Sequence, residues 1–322
     1  MPAFTHKAMD TVWTVTFGTG ENAQLCAGAA AAVFARIDAL ESILTRFSDT
    51  GDVAMIAALR PGEVATVCPE TMTALEVSAR VCAATGGAFD PTVGPVMARL
   101  KRCATAWAAV SPDELDDAFA RGGMQRLVLD VEHRRVAVTP DRLDRATPLE
   151  LDFGGIGKGL ALDECARLLR GEQFELGSFL LDAGTSTILA HGAVWPLGVG
   201  GVWKRRTRLD TVVRLAEGAL SGSCFEIQGA HVVDARRRRA AERWAQTWAL
   251  CPTSAAVADA LSTAALALEP AELDRACREL GARVLVARRQ AEFTDRFRDP
   301  LKWFGPETVS GNGSEDRKGT IT

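Results

Sequence analysis

The sequence has no surplus of basic residues. Lys and Arg number 37 against 41 Asp and Glu, which gives a net charge of −4. A protein that neutralises nucleic-acid phosphates needs an excess of Lys and Arg, so this balance argues against a nucleic-acid binder. Hydrophobic residues make up 47% and charged residues 24% of the 322 residues, which is typical of globular chains and argues against a largely disordered one.

Cysteine pairs and long apolar runs are also missing. None of the eight cysteines forms a C-x-x-C pair, which argues against a zinc ribbon or a thioredoxin-type site. Residues 1–11 contain no apolar segment typical of a signal peptide. The longest apolar run, residues 27–34, is shorter than the about 20 residues that a membrane span needs. We therefore expect a cytoplasmic protein without a membrane span.

Hydrophobic periodicity predicts helices and strands in irregular alternation. Helices are predicted at 23–44, 69–84, 111–120, 253–268 and 270–280, and a further helix follows the glycine run and ends at residue 170. Strands are predicted at 11–17, 64–68, 127–130, 136–139, 149–152, 179–182, 186–191, 197–202, 209–215, 244–250 and 284–287. This order favours an α+β fold, with mixed sheets and packed helices, over a parallel βαβ array. Residues 305–322 lose apolar periodicity, and we expect a disordered C-terminal tail there.

The strongest candidate site is the run D-F-G-G-I-G-K-G at residues 152–159, which leads from a predicted strand into a helix. Its glycines let a ligand approach the backbone closely, and a helix N-terminus favours phosphate. Asp152 would accept hydrogen bonds, and Lys158 adds a positive charge. The run matches neither the P-loop nor G-x-G-x-x-G. A tight strand-to-helix turn without a ligand is the alternative.

A second candidate lies on a predicted helix near the C-terminus. Asp259 and Thr263 are four positions apart, so both side chains project from one face. A carboxylate and a hydroxyl, completed by backbone carbonyls and phosphate oxygens, suit Mg²⁺. The alternative is a hydroxyl that bonds back to its own helix.

Two more segments combine unusual residues. T-G-G-A-F-D-P-T-V-G-P at residues 85–95 is too irregular for a helix or strand, and either a rigid binding loop or a structural turn fits it. His231 stands three residues before Asp234, and its imidazole suits acid–base chemistry near neutral pH. A structural histidine is the alternative.

Two runs point less clearly to a function. G-T-G-E-N-A at residues 18–23 follows a strand and precedes a helix, but no parallel strand follows promptly, so we do not expect a dinucleotide-binding fold. Four consecutive arginines at residues 236–239 are typical of a solvated edge, with contact to phosphate or an acidic partner as the alternative.

Taken in order, these segments resemble the ApbE family, the FAD:protein FMN transferases. The matching runs are M-D-T at 9–11, L-T-R-F at 44–47, residues 85–95, residues 152–159, S-G at 221–222, H-V-V-D at 231–234 and A-D-A-L-S-T-A at 258–264. They span about residues 8–290. The resemblance implies an ApbE-like, T-fold-related domain over residues 8–304, ahead of the expected tail.

The resemblance also implies an activity and a set of site residues. Such enzymes bind FAD and Mg²⁺, transfer FMN to a Thr or Ser of a target protein, and release AMP. The FAD contacts would be Met9, Phe47, Ala88, Phe89, Asp90, Asp152, Lys158 and Val233. Asp259, Thr263 and the backbone carbonyl of Gly155 would bind Mg²⁺, and His231 would be catalytic. Ser262 falls at a variable position and receives no role. A non-transferring flavin-binding protein and an FAD pyrophosphatase that releases FMN and AMP are the alternatives.

The sequence departs from the family pattern in four places. Thr185 and Ser186 replace the Gly-Asp or Gly-Asn that usually follows residues 182–184. Asp10 replaces the glycine of M-G-T, where its side chain would crowd the flavin. Gly51, Ala54 and Ala57 replace the polar residues of S-E-I-S-x-L-N. A-R-R-R-R-A at residues 235–240 replaces P-x-T-G-x-P, which predicts altered target recognition.

Overall fold

The computed structural model describes residues 1–103, 107–184, 186–199, 202–203, 207–208, 211–224, 232–287 and 301–306. Its central element is an eight-stranded sheet in which all neighbouring strands are antiparallel. In spatial order the strands are β1 (Ala3–Ala8), β2 (Thr11–Phe17), β6 (Phe179–Asp182), β7 (Thr187–His191), β12 (Gly218–Cys224), β15 (Gln246–Cys251), β16 (Arg283–Ala287) and β17 (Leu301–Phe304).

Smaller sheets surround the central one. The first contains β3 (Val64–Thr66), β5 (Arg135–Val138) and β4 (Leu127–Asp130). The others are pairs: β8 (Trp195–Val199) with β11 (Thr211–Leu215), β9 (Val202–Trp203) with β10 (Thr207–Arg208), and β13 (Val233–Asp234) with β14 (Arg239–Ala240). The helices are α1 (Ala23–Leu44), α2 (Asp52–Ala58), α3 (Pro69–Ala84), α4 (Gly94–Arg102), α5 (Pro112–Arg121), α6 (Gly157–Arg170), α7 (Ala255–Ala265) and α8 (Pro270–Leu280).

Each face of the central sheet is covered by an apolar layer. On one face, α1, α3, α6 and α7 bury their apolar sides in the main hydrophobic core. On the other face, the β8–β11 hairpin packs Trp195, Leu197 and Val213 against Leu220 and Trp248 of the sheet. This arrangement places α6 and α7 side by side against the strands that carry the candidate site.

Helix α1 is the one helix, within the described ranges, that is long and apolar enough to cross a membrane by length and composition. Its apolar residues recur at helical spacing, and seven of its side chains are buried in the main core. They are Cys26, Ala29, Ala30, Val33, Ile37, Leu40 and Leu44.

Several predicted elements are confirmed with the same bounds: β2, α1, α3, β6 and α8. The predicted strand at 149–152 is wrong, because these residues join no sheet. Their apolar side chains are buried, but the backbone turns into the glycine run after the Asp152 N–H donates to the Pro91 carbonyl, at an N–O distance of 2.7 Å. Helix α7 is shorter than the prediction at 253–268, since the Ser254 side chain caps it by accepting from the Val257 N–H.

The antiparallel pairing also decides the question of a dinucleotide-binding fold. Strand β2, which precedes the G-T-G-E-N-A segment, is paired antiparallel with β1 and β6. A Rossmann unit requires a parallel neighbour at this point. The expectation that this segment does not begin a Rossmann unit is therefore confirmed.

Candidate functional site

The glycine run turns sharply before α6 begins at Gly157. The Gly154 N–H donates to Asp152 Oδ1 at 2.9 Å, and the Gly157 N–H donates to the Phe153 carbonyl at 2.7 Å. Asp152 Oδ2 also lies 3.3 Å from Arg46 Nε, and both side chains are largely buried. Asp152 therefore already has two partners, although a carboxylate has about four lone-pair positions and can accept more.

Helices α6 and α7 approach each other closely at Gly159. A Cβ at this position would lie 2.7 Å from the Cα of Ala256, a distance that real side chains do not tolerate. The Gly159 N–H donates to Asp259 Oδ2 with an N–O distance of 3.0 Å. A residue without a side chain is therefore required here, and its presence joins the glycine run directly to the predicted metal ligand.

The other oxygen of Asp259 is held by hydroxyl groups from the sheet. Oδ1 accepts hydrogen bonds from Thr187 Oγ1 at 3.1 Å and from Ser221 Oγ at 3.2 Å. Ser262 Oγ lies 3.2 Å from Ser221 Oγ and 2.8 Å from Ser223 Oγ. Asp259 is only 4% exposed. Its carboxylate is thus buried but accepts three hydrogen bonds, as a buried charge requires, and about one of its four lone-pair positions remains for a cation.

Three of these hydroxyl residues could not be assigned from the sequence. Ser262 received no role, and Thr187 and Ser223 lie outside the sequence motifs from which the site was predicted. The available signal is the alternation of Ser221 and Ser223 in β12, because residues two apart in a strand face the same side. That side is the one on which α7 packs.

The predicted metal ligands come together at the N-terminal turn of α6. A Cβ on Gly155 would lie 3.3 Å from Thr263 Oγ1 and 3.3 Å from Phe89 Cε2. Thr263 Oγ1 also lies 3.3 Å from the Asp259 carbonyl oxygen and 3.4 Å from Ser223 Oγ. The glycine run, the α7 pair and the aromatic ring of the 85–95 loop are therefore neighbours in the structure.

The loop after α3 begins with two glycines in left-handed conformations. Gly86 has φ of 59° and Gly87 has φ of 86°. The N–H of Gly86 donates to the Ala83 carbonyl at 3.1 Å, which helps to end the helix. The chain then enters the buried residues Ala88 and Phe89, which are 3% and 5% exposed.

Asp90 is held by its own loop. Its Oδ1 accepts from the N–H and hydroxyl of Thr92, at 2.8 and 2.6 Å, and its Oδ2 accepts from the Met124 N–H at 3.2 Å. Burial raises the pKa of Asp90 above its ordinary value, although these hydrogen bonds oppose the rise. These hydrogen bonds occupy most of the lone-pair positions of Asp90, so its main role is to hold the loop in shape.

The remaining predicted contacts are more scattered. Phe47 is 78% exposed, with the Arg46 guanidinium and Lys101 Nζ each 4.9 Å from its ring centroid. Because Arg46 also pairs with Asp152, it connects this exposed ring to the glycine run. Arg46 is a site residue that the sequence did not reveal. Lys158, on the first turn of α6, has no ion-pair partner in the described part of the chain.

Val233 and Met9 contribute to the protein interior. Val233 is 8% exposed and packs with Val96 and Phe119, in a small cluster separate from the main core. Met9 is partly buried against the main core. His231 and Thr185 lie outside the described residues, as do residues 307–322 of the expected tail.

Two departures from the family pattern fall where the backbone has positive φ. Met9 and Asp10, with φ of 48° and 58°, form the two-residue turn between β1 and β2. This turn favours glycine, and Asp is among the side chains that tolerate it. Arg238, at the glycine position of P-x-T-G-x-P, has φ of 50°. Both positions therefore have a backbone conformation that favours glycine, the residue that the family pattern places there.

The arginine run is bound to the protein itself. Arg236 lies 2.9 Å from Glu272 and 3.3 Å from Asp234, and its side chain is 19% exposed. Arg238 pairs with Asp116 at 2.8 Å. The expectation of a solvated edge is wrong for Arg236, because three acidic residues around the loop neutralise the run.

Comparison with known proteins agrees with this architecture. The chain is 24% identical to the FAD:protein FMN transferase of Klebsiella pneumoniae over 303 residues, which is 89% of this chain and 84% of the relative. It is also 24% identical to the FAD:protein FMN transferase of Escherichia coli K12 over 291 residues, covering 84% and 75% of the two chains.

Solved structures show the same fold. The flavin transferase ApbE of Vibrio cholerae superposes with a TM-score of 0.77 at 16% identity, over 94% of this chain and 96% of that one. The flavinyl transferase ApbE of Pseudomonas stutzeri gives 0.73 at 22% identity, over 90% and 91%. The predicted α+β, ApbE-like architecture is confirmed. Since the ApbE family model matches residues 9–286, this chain belongs to the ApbE family.

Proposed function

We propose that this chain is an FAD:protein FMN transferase, which uses Mg²⁺ to move FMN from FAD to a Thr or Ser of a target protein. The observation that carries this proposal is the junction of two distant motifs. Gly159 binds the Asp259 carboxylate, and Gly155 lies against Thr263. These contacts support the proposal, because they bring residues able to serve as oxygen ligands next to the N-terminal end of α6.

The donor set suits a hard cation. It consists of one carboxylate, one hydroxyl and one backbone carbonyl, from Asp259, Thr263 and Gly155, and oxygen ligands are those that Mg²⁺ prefers. The described residues contain no cluster of three or more His, Cys, Asp or Glu that would hold a metal alone. Pyrophosphate oxygens and water would complete the coordination. Bound there, Mg²⁺ would neutralise the pyrophosphate and stabilise the leaving oxygen.

The protein's own groups would bind and orient the substrate. The positive end of α6 and the Lys158 ammonium attract the pyrophosphate. The amides of Gly157 and Gly159 are already used within the protein, so Lys158 supplies much of this attraction. The ring of Phe89 borders the metal ligands, and Phe47 offers an exposed aromatic face to the flavin.

The reaction breaks the phosphoanhydride bond of FAD and forms a phosphate ester on the target hydroxyl. The hydroxyl oxygen of the target attacks the phosphorus on the FMN side, the bond to the AMP phosphate breaks, and AMP leaves. We propose that His231 accepts the hydroxyl proton, as the family resemblance implies. The same site would hydrolyse FAD if water replaced the target hydroxyl, which keeps FAD pyrophosphatase as the second candidate.

The test is to incubate the purified protein with FAD and an extract of its source cells, with and without Mg²⁺. AMP and FMN are followed by chromatography, and bound flavin by in-gel fluorescence after denaturation. Covalent flavin on another protein, with AMP that requires Mg²⁺ and Asp259, supports the proposal; Asp259→Ala is the control. Free FMN as the sole flavin product would favour the pyrophosphatase. FAD binding without AMP or adduct would favour a flavin-binding protein.

The cytoplasmic location of the protein and its target also stays a proposal. Cell fractionation followed by immunoblotting would test it. Recovery of the chain with exported or membrane proteins would contradict it.

A further inference from the structure

We propose that Arg236 is a positioning residue of the flavin site, which holds the glycine turn after α3 against the Val233–Asp234 strand. This role rests on the proposed function, because the turn leads into Ala88 and Phe89. It goes beyond that function because it assigns a task to the arginine run, which departs from the family pattern.

The Arg236 side chain covers the glycine turn. Its Cγ lies 3.4 Å from where a Cβ of Gly87 would stand, and its Nη1 lies 3.8 Å from the corresponding position at Gly86. Both glycines have positive φ, so few other residues would adopt this turn. The aliphatic stem of the arginine therefore packs directly on the backbone that leads to the buried Phe89.

The charge of Arg236 also complements the end of α3. This helix has no basic residue in its last turn, so its own sequence leaves the negative end of the helix dipole uncompensated. The Arg236 guanidinium lies beside the glycine turn that ends the helix. A cation from a distant segment thus takes the place that Lys or Arg usually occupies within a helix.

Two carboxylates also hold the Arg236 guanidinium in place. Arg236 Nε lies 3.3 Å from Asp234 Oδ1, and Nη1 lies 2.9 Å from Glu272 Oε1 on α8. The Asp234 side chain is only 2% exposed, so this pair is shielded from water and stronger than a surface pair. Arg236 thereby ties three elements together: the end of α3, the strand β13 and the helix α8.

The neighbouring arginines provide matched comparisons. Arg237 shares Asp234 with Arg236, at 3.2 Å, and approaches Glu272 at 3.8 Å. The Arg237 side chain also donates to the Ala267 carbonyl. The glycine turn, in contrast, is in contact with Arg236. Arg239 is exposed and has no ion-pair partner within the described ranges. Alanine substitution of Arg236, Arg237 or Arg239 removes one positive charge in each case. Only the substitution of Arg236 uncovers the glycine turn.

The experiment measures the Kd for FAD and the thermal midpoint for Arg236→Ala, Arg237→Ala, Arg239→Ala and Arg236→Lys. We expect Arg236→Ala to weaken FAD binding about tenfold, since misplacement of a binding loop is costly. Arg237→Ala should lower the thermal midpoint with FAD affinity within about twofold of wild type, and Arg239→Ala should change neither. Arg236→Lys should recover part of the affinity, because lysine keeps the stem and the charge.

Equal loss of FAD affinity in the Arg236 and Arg237 variants would overturn the inference, since loop stability alone would then explain both. Wild-type affinity in Arg236→Ala would overturn it too. If Arg236→Ala does not fold, the FAD affinity of Arg236→Lys is compared with that of Arg237→Ala, and equal loss in the two variants overturns the inference in the same way. A wild-type protein that binds no FAD would overturn the proposed function as well, so the two failures are distinguishable.

Discussion

The amide of Gly159 and the carboxylate of Asp259 are hydrogen-bonded at 3.0 Å, although they are 100 positions apart in the sequence. The bond exists because α6 and α7 cross where Gly159 has no side chain. It orients the predicted metal ligand from the backbone of one helix, while Thr187 and Ser221 orient it from the sheet. The geometry of the carboxylate therefore depends on three separate elements.

Replacement of Asp259 by asparagine should strongly reduce AMP release and preserve the fold. The amide has the same shape, and the hydroxyls of Thr187 and Ser221 can reverse their roles to accept from it. Without the negative charge, Mg²⁺ affinity should fall, and AMP release at a fixed Mg²⁺ concentration should drop by about 100-fold. Chromatography of AMP and a thermal melt measure the two effects. AMP release at the wild-type rate would exclude Asp259 as a metal ligand.

Replacement of Gly159 by alanine should push α6 and α7 apart. The new Cβ would meet the Ala256 backbone at 2.7 Å, and overpacking of this kind costs about 1–3 kcal/mol of the free energy of unfolding. Because the Asp259 bond would stretch, the Mg²⁺ concentration needed for half-maximal activity should rise. Urea unfolding and a Mg²⁺ titration measure these changes.

The matched control is Gly28→Ala on α1, where a Cβ would meet no atom within 4 Å. Alanine in an exposed helix interior should stabilise the protein by about 0.5–1 kcal/mol. If both variants changed stability in the same direction, close helix contact at Gly159 would not explain the result.

Replacement of Asp10 by glycine should stabilise the protein. Asp10 has φ of 58° in the turn between β1 and β2, and glycine adopts this conformation without strain. We expect a gain of about 0.5–1 kcal/mol in the free energy of unfolding, measured with urea. Asp10→Ala should instead be destabilising, since alanine tolerates the turn less well. Equal stability of the two variants would contradict the role of the backbone conformation.

Acid should weaken the region around Asp141. Burial alone would raise the pKa of this carboxyl, but hydrogen bonds from Arg145, Leu143 and Thr147 outweigh it and lower the pKa to about 2, from 3.8. A pKa that is lower in the folded state stabilises the protein above pH 4, and this contribution disappears as the pH falls toward 2. Asp141→Asn should therefore be less stable than wild type at pH 7, and the difference should shrink below pH 4.

Urea unfolding at pH 7 and at pH 2.5 measures this difference in stability. Glu172→Gln, at an exposed position, is the control. A stability difference between wild type and Asp141→Asn that is the same at pH 7 and pH 2.5 would contradict the assignment. The carboxylate's hydrogen bonds would then not be responsible for the stabilisation.

Much of the candidate site follows from local sequence. Glycines at 154, 155, 157 and 159 ahead of an amphipathic helix, and Asp259 with Thr263 one helical turn apart, are patterns with a direct physical meaning. The same holds for β2 and α1, whose hydrophobic periods of two and 3.6 residues are long and regular. The antiparallel order of the central sheet could not be read in this way, because pairing depends on contacts between distant strands.

The wrong expectations have a common cause. Residues 149–152 alternate like a strand, but the Asp152 N–H donates to the Pro91 carbonyl in a loop, and no strand in the described part of the chain pairs with them. The four arginines have the composition of a solvated edge, but Asp116 and Glu272 meet them from other parts of the chain, and Asp234 lies just before them. In both cases the structure of the segment depends on the residues that it meets in the fold rather than on its own composition.

The sequence by itself determined the family resemblance, the helices and strands with regular apolar periods, and the residue types able to bind a phosphate and a hard cation. Only the tertiary structure decided that Thr187, Ser221 and Ser262 surround Asp259, that Arg46 meets Asp152, and that Arg236 covers Gly86 and Gly87. Periodicity and spacing are properties of neighbouring residues, whereas a buried polar side chain takes whichever partner folding brings within hydrogen-bond distance.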